Sequence, residues 1–216
     1  MCTGGFLQIR YSTVESFNST YFNNSAYDGG LVFISSRSSV TFYHDRFQMN
    51  MALGNGALVY GEGFGVLSLR NVQIDASNSM SATHSTLVFL IEGFFTVQSA
   101  FFGNPLNTTR STTLDLKHLV FHMNDTDFTN FYGNDVGAIV RVLEGVETSI
   151  SDCSFRNNEA DKFGGALAFS KSENVTITNC QFYDNRAISG GAIYAQESSV
   201  VVENCVFERN QAFLGG

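Results

Sequence analysis

The feature that most constrains this chain is an internal repeat. An aromatic residue is followed three positions later by Asn, two later by a small residue, and then by Gly-Gly or Gly-Ala. Phe182, Asn185, Ala187 and Gly190-Gly191-Ala192 form one copy, and Phe207, Asn210, Ala212 and Gly215-Gly216 form the next. Before them come Phe155, Asn158, Ala160 and Gly164-Gly165-Ala166, and Phe128 leads to Gly137-Ala138. Near the start, Phe47 leads to Asn50, Ala52 and Gly56-Ala57, and Tyr21 to Asn24, Ala26 and Gly29-Gly30. Phe101 leads to Asn104, while the turn anchored near Ile74 keeps little of the motif. The anchors at 21, 47, 74, 101, 128, 155, 182 and 207 lie 25 to 27 residues apart. Residues 1–216 therefore read as one domain of eight turns, with the divergent turns at about 61–127.

The columns extend beyond the motif. Seven and five residues before the anchors stand pairs such as Val200 and Val202, Val175 and Ile177, Phe121 and Met123, Leu67 and Leu69, and Val40 and Phe42. Their spacing of two is the strand period, so both members face one way. Three before each anchor is a polar turn former: Asn204, Asn179, Asp152, Asp125, Gln98, Asn71, His44 and Asn18. Two before it is a smaller inward position: Cys205, Cys180, Cys153, Thr126, Ser99, Val72, Asp45 and Ser19.

A segment of this length with three short strands cannot bury its own apolar face. Stacked at ~4.8 Å, such segments pair their backbone groups with the turns above and below and make one core. The aromatics should then stack as a ladder, and the motif asparagines should line a corner, where Asn tolerates positive φ. Gly-Gly-Ala suits a bend that a side chain would obstruct. Crossovers between parallel strands are right-handed. The expected fold is all-β: a right-handed single-stranded parallel β-helix.

Composition narrows function more than fold. A net charge of −8 argues against nucleic-acid or anionic-membrane partners, which need a basic surface. No stretch approaches the ~18 apolar residues of a membrane span, and Met1 to Gly5 show no signal-peptide pattern.

With Phe182 to Asn185 followed by Gly190-Gly191-Ala192-Ile193, and Phe155 to Asn158 followed by Gly164-Gly165-Ala166-Leu167, the repeat resembles that of polymorphic outer membrane proteins. It is also similar to β-helix repeats of large protist surface proteins. The resemblance is strongest over 14–60 and 128–216, and it implies an adhesin-like module of the pectin-lyase-like superfamily. The C-terminal β-barrel of an autotransporter is absent from these residues.

Five N-x-[ST] sequons are candidate glycosylation sites: Asn124, Asn174, Asn107, Asn23 and Asn18. Asn124 and Asn174 rank first because they fall on presumed outward positions, and Asn18 last because it sits in the polar-corner column. Cys153, Cys180 and Cys205 share one column in consecutive turns. A reduced thiol stack is the expectation and one bridge within it the alternative, since the stacking distance lies within disulfide range. Three thiols in a row offer no tetrahedral metal pocket.

Asp125 and Asp152 occupy the same corner of adjacent turns, a separation that retaining glycosidases use, yet the column also holds four Asn residues, so turn formation is the expected role. His44, His84, His118 and His122 match no metal spacing, and no cofactor motif occurs. The Thr/Ser-rich stretch Asn107 to Thr113 replaces a Gly corner and reads as a divergent turn, with a protruding binding loop as the alternative.

The expected function is a structural or adhesive, glycan-bearing rod outside the cell, with no catalytic site. A polysaccharide-binding or polysaccharide-cleaving enzyme is the alternative. Expected partners are further repeats or like subunits stacked end to end, and host or matrix glycans or proteins. No helix or polar cap closes either end, which fits a segment of a longer rod or fibre.

Overall fold

The computed structural model describes residues 5–75, 86–103, 112–133 and 139–214. It is an all-β, right-handed parallel solenoid of about seven turns. Three parallel sheets run along the coil, each with eight strands. The first begins with Leu7–Arg10, Val32–Ser35 and Val59–Glu62 and ends with Ile193–Gln196. The second runs from Thr13–Phe17 through Ser39–Tyr43 and Val66–Arg70 to Val200–Glu203, and the third from Thr20–Phe22 through Arg46–Gln48 to Val206–Glu208. A shorter fourth sheet joins Tyr132–Gly133, Glu159–Ala160, Arg186–Ser189 and Gln211–Leu214.

Alternation along each strand builds the core. Val40 and Phe42, Leu67 and Leu69, Phe121 and Met123, and Val175 and Ile177 are all buried within the second sheet. On the third sheet the anchors stack ring on ring: Phe128 on Phe155 at 5.5 Å, Phe155 on Phe182 at 5.0 Å and Phe182 on Phe207 at 4.7 Å, with interplanar angles of 5° or less. Tyr21 lies over Phe47 in the same way. Ile74, in the turn that lost the motif, is fully buried between Phe47 and the next anchor.

That next anchor corrects the sequence register by one residue. Phe102 pairs with Ile74 and Phe128 and is fully buried, whereas Phe101 is 44% exposed. The polar corner of that turn is therefore Ser99, not Gln98, and its inward neighbour is Ala100, not Ser99. A strand slip of one residue exchanges the two faces, so one aromatic had to face the core and the other solvent.

The asparagine ladder is also built differently from the expectation. Positive φ falls on the residue before each ladder Asn: Asn23, Met49, Asn157, Asp184 and Arg209. The ladder residues Asn50, Asn158 and Asn185 instead turn fully inward. Asn185 Nδ2 donates to Asn210 Oδ1 at 2.9 Å and to the Phe155 carbonyl at 3.0 Å, and Asn158 repeats this with Asn185 and Phe128. The amide supplies donors and an acceptor where the backbone bends away from its ladder.

At the glycine corner, Gly164 and Gly190 have φ of +55° and +63°. A Cβ on Gly165 would stand 2.2 Å from the Gly191 carbonyl, so here side chains are excluded by the next turn itself. A further bend, between the first two sheets, carries positive φ at Tyr11, Gly63, Glu92, His118, Glu144, Lys171 and Glu197.

Candidate functional site

The polar corner holds every candidate carboxylate of the sequence reading. Asn18, His44, Asn71, Ser99, Asp125, Asp152, Asn179 and Asn204 all adopt φ between 49° and 56°. Asp125 Oδ2 accepts from Ser99 Oγ at 2.8 Å. Asp152 accepts from Asn179 Nδ2 at 3.2 Å and from Asn124 Nδ2 at 3.3 Å. Both acids are thus rungs of a hydrogen-bonded corner, stacked along the axis.

The residue after each corner turns inward, and where it carries a hydroxyl or thiol it closes the corner. Ser19, Thr126, Cys153, Cys180 and Cys205 each donate to the carbonyl two residues back, at 2.9 to 3.2 Å. The three cysteines are therefore thiol counterparts of Ser and Thr at a local capping position. All three are free; Cys153 and Cys180 are buried and Cys205 is half-buried. The Cys180 amide also donates to Cys205 Sγ at 3.3 Å. The neighbouring Cys180 thiol, together with burial, pushes Cys153 far above the ordinary thiol range, and the Cys153 thiol in turn lowers Cys180. The pair gives up one proton more readily than its second.

The sequons divide by environment. Asn124 faces outward at the end of its strand but is half-buried, and its amide is engaged by Ser151 and Asp152, while its sequon hydroxyl, Thr126, is buried. Asn18, Asn23 and Asn174 lie exposed on left-handed bends. Asn107 lies outside the described residues, as do His84 and all of the Asn107–Thr113 stretch except Thr112 and the buried Thr113.

The outer face of the first sheet carries a stripe that the repeat motif did not reveal. The residues between the inward pairs form one column: Gln8, Phe33, Tyr60, Phe89, Asp115, Arg141, Ala168 and Tyr194. Phe33, Tyr60 and Phe89 stack at 5.2 and 5.3 Å, and Lys117 Nζ lies 5.0 Å over the Phe89 ring. Asp115 follows, buried although it faces outward, with Oδ2 3.6 Å from Arg141 Nη1 and Oδ1 without a hydrogen-bond partner. Burial raises its pKa, and Arg141 and Lys117 offset only part of that. Arg141, Ala168, Phe163 and Tyr194 then line a small cavity of about 100 Å³. The signal in the sequence was three aromatics in one slot of consecutive turns.

His118 and His122 lie 3.3 and 3.4 Å from Glu144 and Glu147, on the surface. Among the described residues, no group of three or more His, Cys, Asp or Glu is placed to hold a metal, and no helix is long and apolar enough to cross a membrane.

No curated protein and no solved structure matches the chain. A family model described as a right handed beta helix region matches residues 111–214, just under half of the chain, and over those turns the chain is similar to that family in sequence as it is in fold.

Proposed function

We propose that this chain is a stiff structural or adhesive module of an extracellular or cell-surface protein, with repeats of the polymorphic outer membrane protein kind, and that it is not an enzyme. The observation that carries this reading is that the polar groups of the repeat are spent on the coil itself. The motif asparagines, the corner acids and the thiols are bonded to the turn above or below. Such a coil holds length and stiffness, because each turn is clamped to its neighbours by three in-register sheets. Its partners are further coils or like subunits continuing those ladders, and matrix or host glycans or proteins on its flanks.

The test is incubation of the purified chain with acidic polysaccharides, with and without calcium. No cleavage is expected. Turnover abolished by Asp125→Asn or Asp152→Asn would overturn the reading.

One observation favours a second reading, a polysaccharide-binding or polysaccharide-cleaving β-helix. The outer stripe of the first sheet puts Asp115 and Arg141 in line with a run of aromatics. Polysaccharide binding lost on Arg141→Ala and on Asp115→Asn, with the fold retained, would establish it.

A further inference from the structure

Of the aromatics that the first turn exposes (Phe6, Tyr11, Phe17, Phe22 and Tyr27), Phe17 and Phe22 each immediately precede a sequon, at positions where later turns are mostly polar. Phe17, the last residue of its strand, is 55% exposed and is followed by Asn18 on the polar corner. Phe22, the last residue of the next strand, is 56% exposed and is followed by Asn23, again at positive φ. At the position of Phe17 the third to eighth turns carry Arg70, Gln98, Asn124, Ser151, Thr178 and Glu203. The sequon hydroxyls, on Thr20 and Ser25, are exposed as well. Of the other asparagines on left-handed bends among the described residues, only Asn174 begins a sequon, and the residue before it is Glu173.

We propose that Asn18 and Asn23 carry N-linked glycans and that Phe17 and Phe22 are the platforms on which the first sugar of each rests. The inference rests on the extracellular reading above and names the modified positions. A pyranose presents a face of C–H groups, and an exposed aromatic beside the linkage removes that face and its own ring from water. Phe17 is braced for this, its ring stacked on Tyr43 at 4.8 Å and 3°. Exposure by itself needs no explanation, since Phe6, Tyr11 and Tyr27 of the same turn are exposed as well; what sets Phe17 and Phe22 apart is that each stands directly before an accessible sequon Asn. The attachment joins each Asn Nδ2 to the anomeric carbon of a sugar held on a lipid pyrophosphate donor. The C–O bond to the pyrophosphate breaks, the lipid pyrophosphate leaves with the bonding pair, and the amide loses one proton to the transferase.

The experiment secretes the full chain from cells that attach N-glycans and maps occupied sites by peptide mass after enzymatic release. Occupancy at Asn18 and Asn23 is expected, lost singly in Thr20→Ala and Ser25→Ala. Phe17→Ala and Phe22→Ala should lower the melting temperature more in the glycosylated chain than after enzymatic deglycosylation. Asn174 occupied with Asn18 and Asn23 bare would overturn this inference and leave the extracellular reading standing. All sequons bare would likewise overturn the inference and leave the structural-module reading standing. Occupancy with equal melting shifts in both forms would overturn the platform role.

Discussion

Asn158 and Asn185 share a hydrogen bond inside the coil: Asn158 Nδ2 donates to Asn185 Oδ1 at 3.1 Å, one turn further on. The same oxygen accepts the Asn158 backbone N–H at 3.2 Å, and both side chains are fully buried. Asn185→Ala would leave those two donors unpaired and remove the amide's bond to the Phe155 carbonyl. At roughly 1–3 kcal/mol for each buried polar group left without a partner, we expect a loss of at least ~2 kcal/mol. Asn130→Ala, at an exposed bend, should cost only ~1 kcal/mol through its left-handed φ. Chemical denaturation of the two variants measures the difference.

Phe182 and Tyr183 are neighbours in one strand on opposite faces. Phe182→Ala removes a fully buried ring held between two others and should cost ~3–5 kcal/mol. Tyr183→Ala removes an outward ring that lies under the Arg156 guanidinium at 5.6 Å, and should cost under ~1 kcal/mol. Equal melting shifts would contradict the column assignment.

Two glycines separate steric exclusion from backbone preference. Gly165→Ala drives a Cβ against the Gly191 carbonyl of the next turn, and we expect a loss of ~3 kcal/mol or more. Gly63 has φ +55° but nothing within 4 Å of a Cβ, so Gly63→Ala should cost only ~1 kcal/mol. Thermal unfolding of both, read against the parent chain, decides.

The raised pKa of Asp115 gives a signed pH dependence. Its folded-state value lies above the unfolded one, so its contribution is present below the ordinary aspartate pKa of ~3.9 and is lost as pH rises through the folded value. Asp115→Asn should therefore gain stability relative to the parent chain between about pH 4 and neutrality. A stability difference that is flat over that interval would show that the carboxylate is better solvated than its burial indicates.

The thiol column offers a chemical contrast. Cys180→Ser keeps a donor to the Thr178 carbonyl, as Thr126 does for Asn124, while Cys180→Val removes it. The valine variant should be the less stable by ~1 kcal/mol. In the folded chain, thiol reagents should modify Cys205 well before Cys153 and Cys180, which peptide mapping after short labelling would show.

Much of the architecture was legible because each residue in a parallel coil stacks on its own counterpart one turn away. Periodicity in the chain becomes contact in space, so the columns of Phe155, Phe182 and Phe207, of Asn158 and Asn185, and of Cys153, Cys180 and Cys205 followed from spacing alone. The glycine pairs likewise marked their corner, because a backbone passing that close to the next turn admits no Cβ.

The tertiary structure decided what spacing left equivalent. Phe101 and Phe102 are the same residue type, and only the strand register with Ile74 and Phe128 chose which one enters the core. Met49, Glu92, His118, Glu144, Lys171 and Arg209 take left-handed φ because the stacked ladder imposes the bend on whatever residue stands there, so no residue type announced it. The outer stripe from Phe33 to Tyr194, the burial of Asp115 within it and the exposed aromatics beside Asn18 and Asn23 depend on what lies across or beside a sheet. Repetition along the chain sets which residues stack; which of the outward columns is covered, and which is left open to a ligand, is set by packing around the coil.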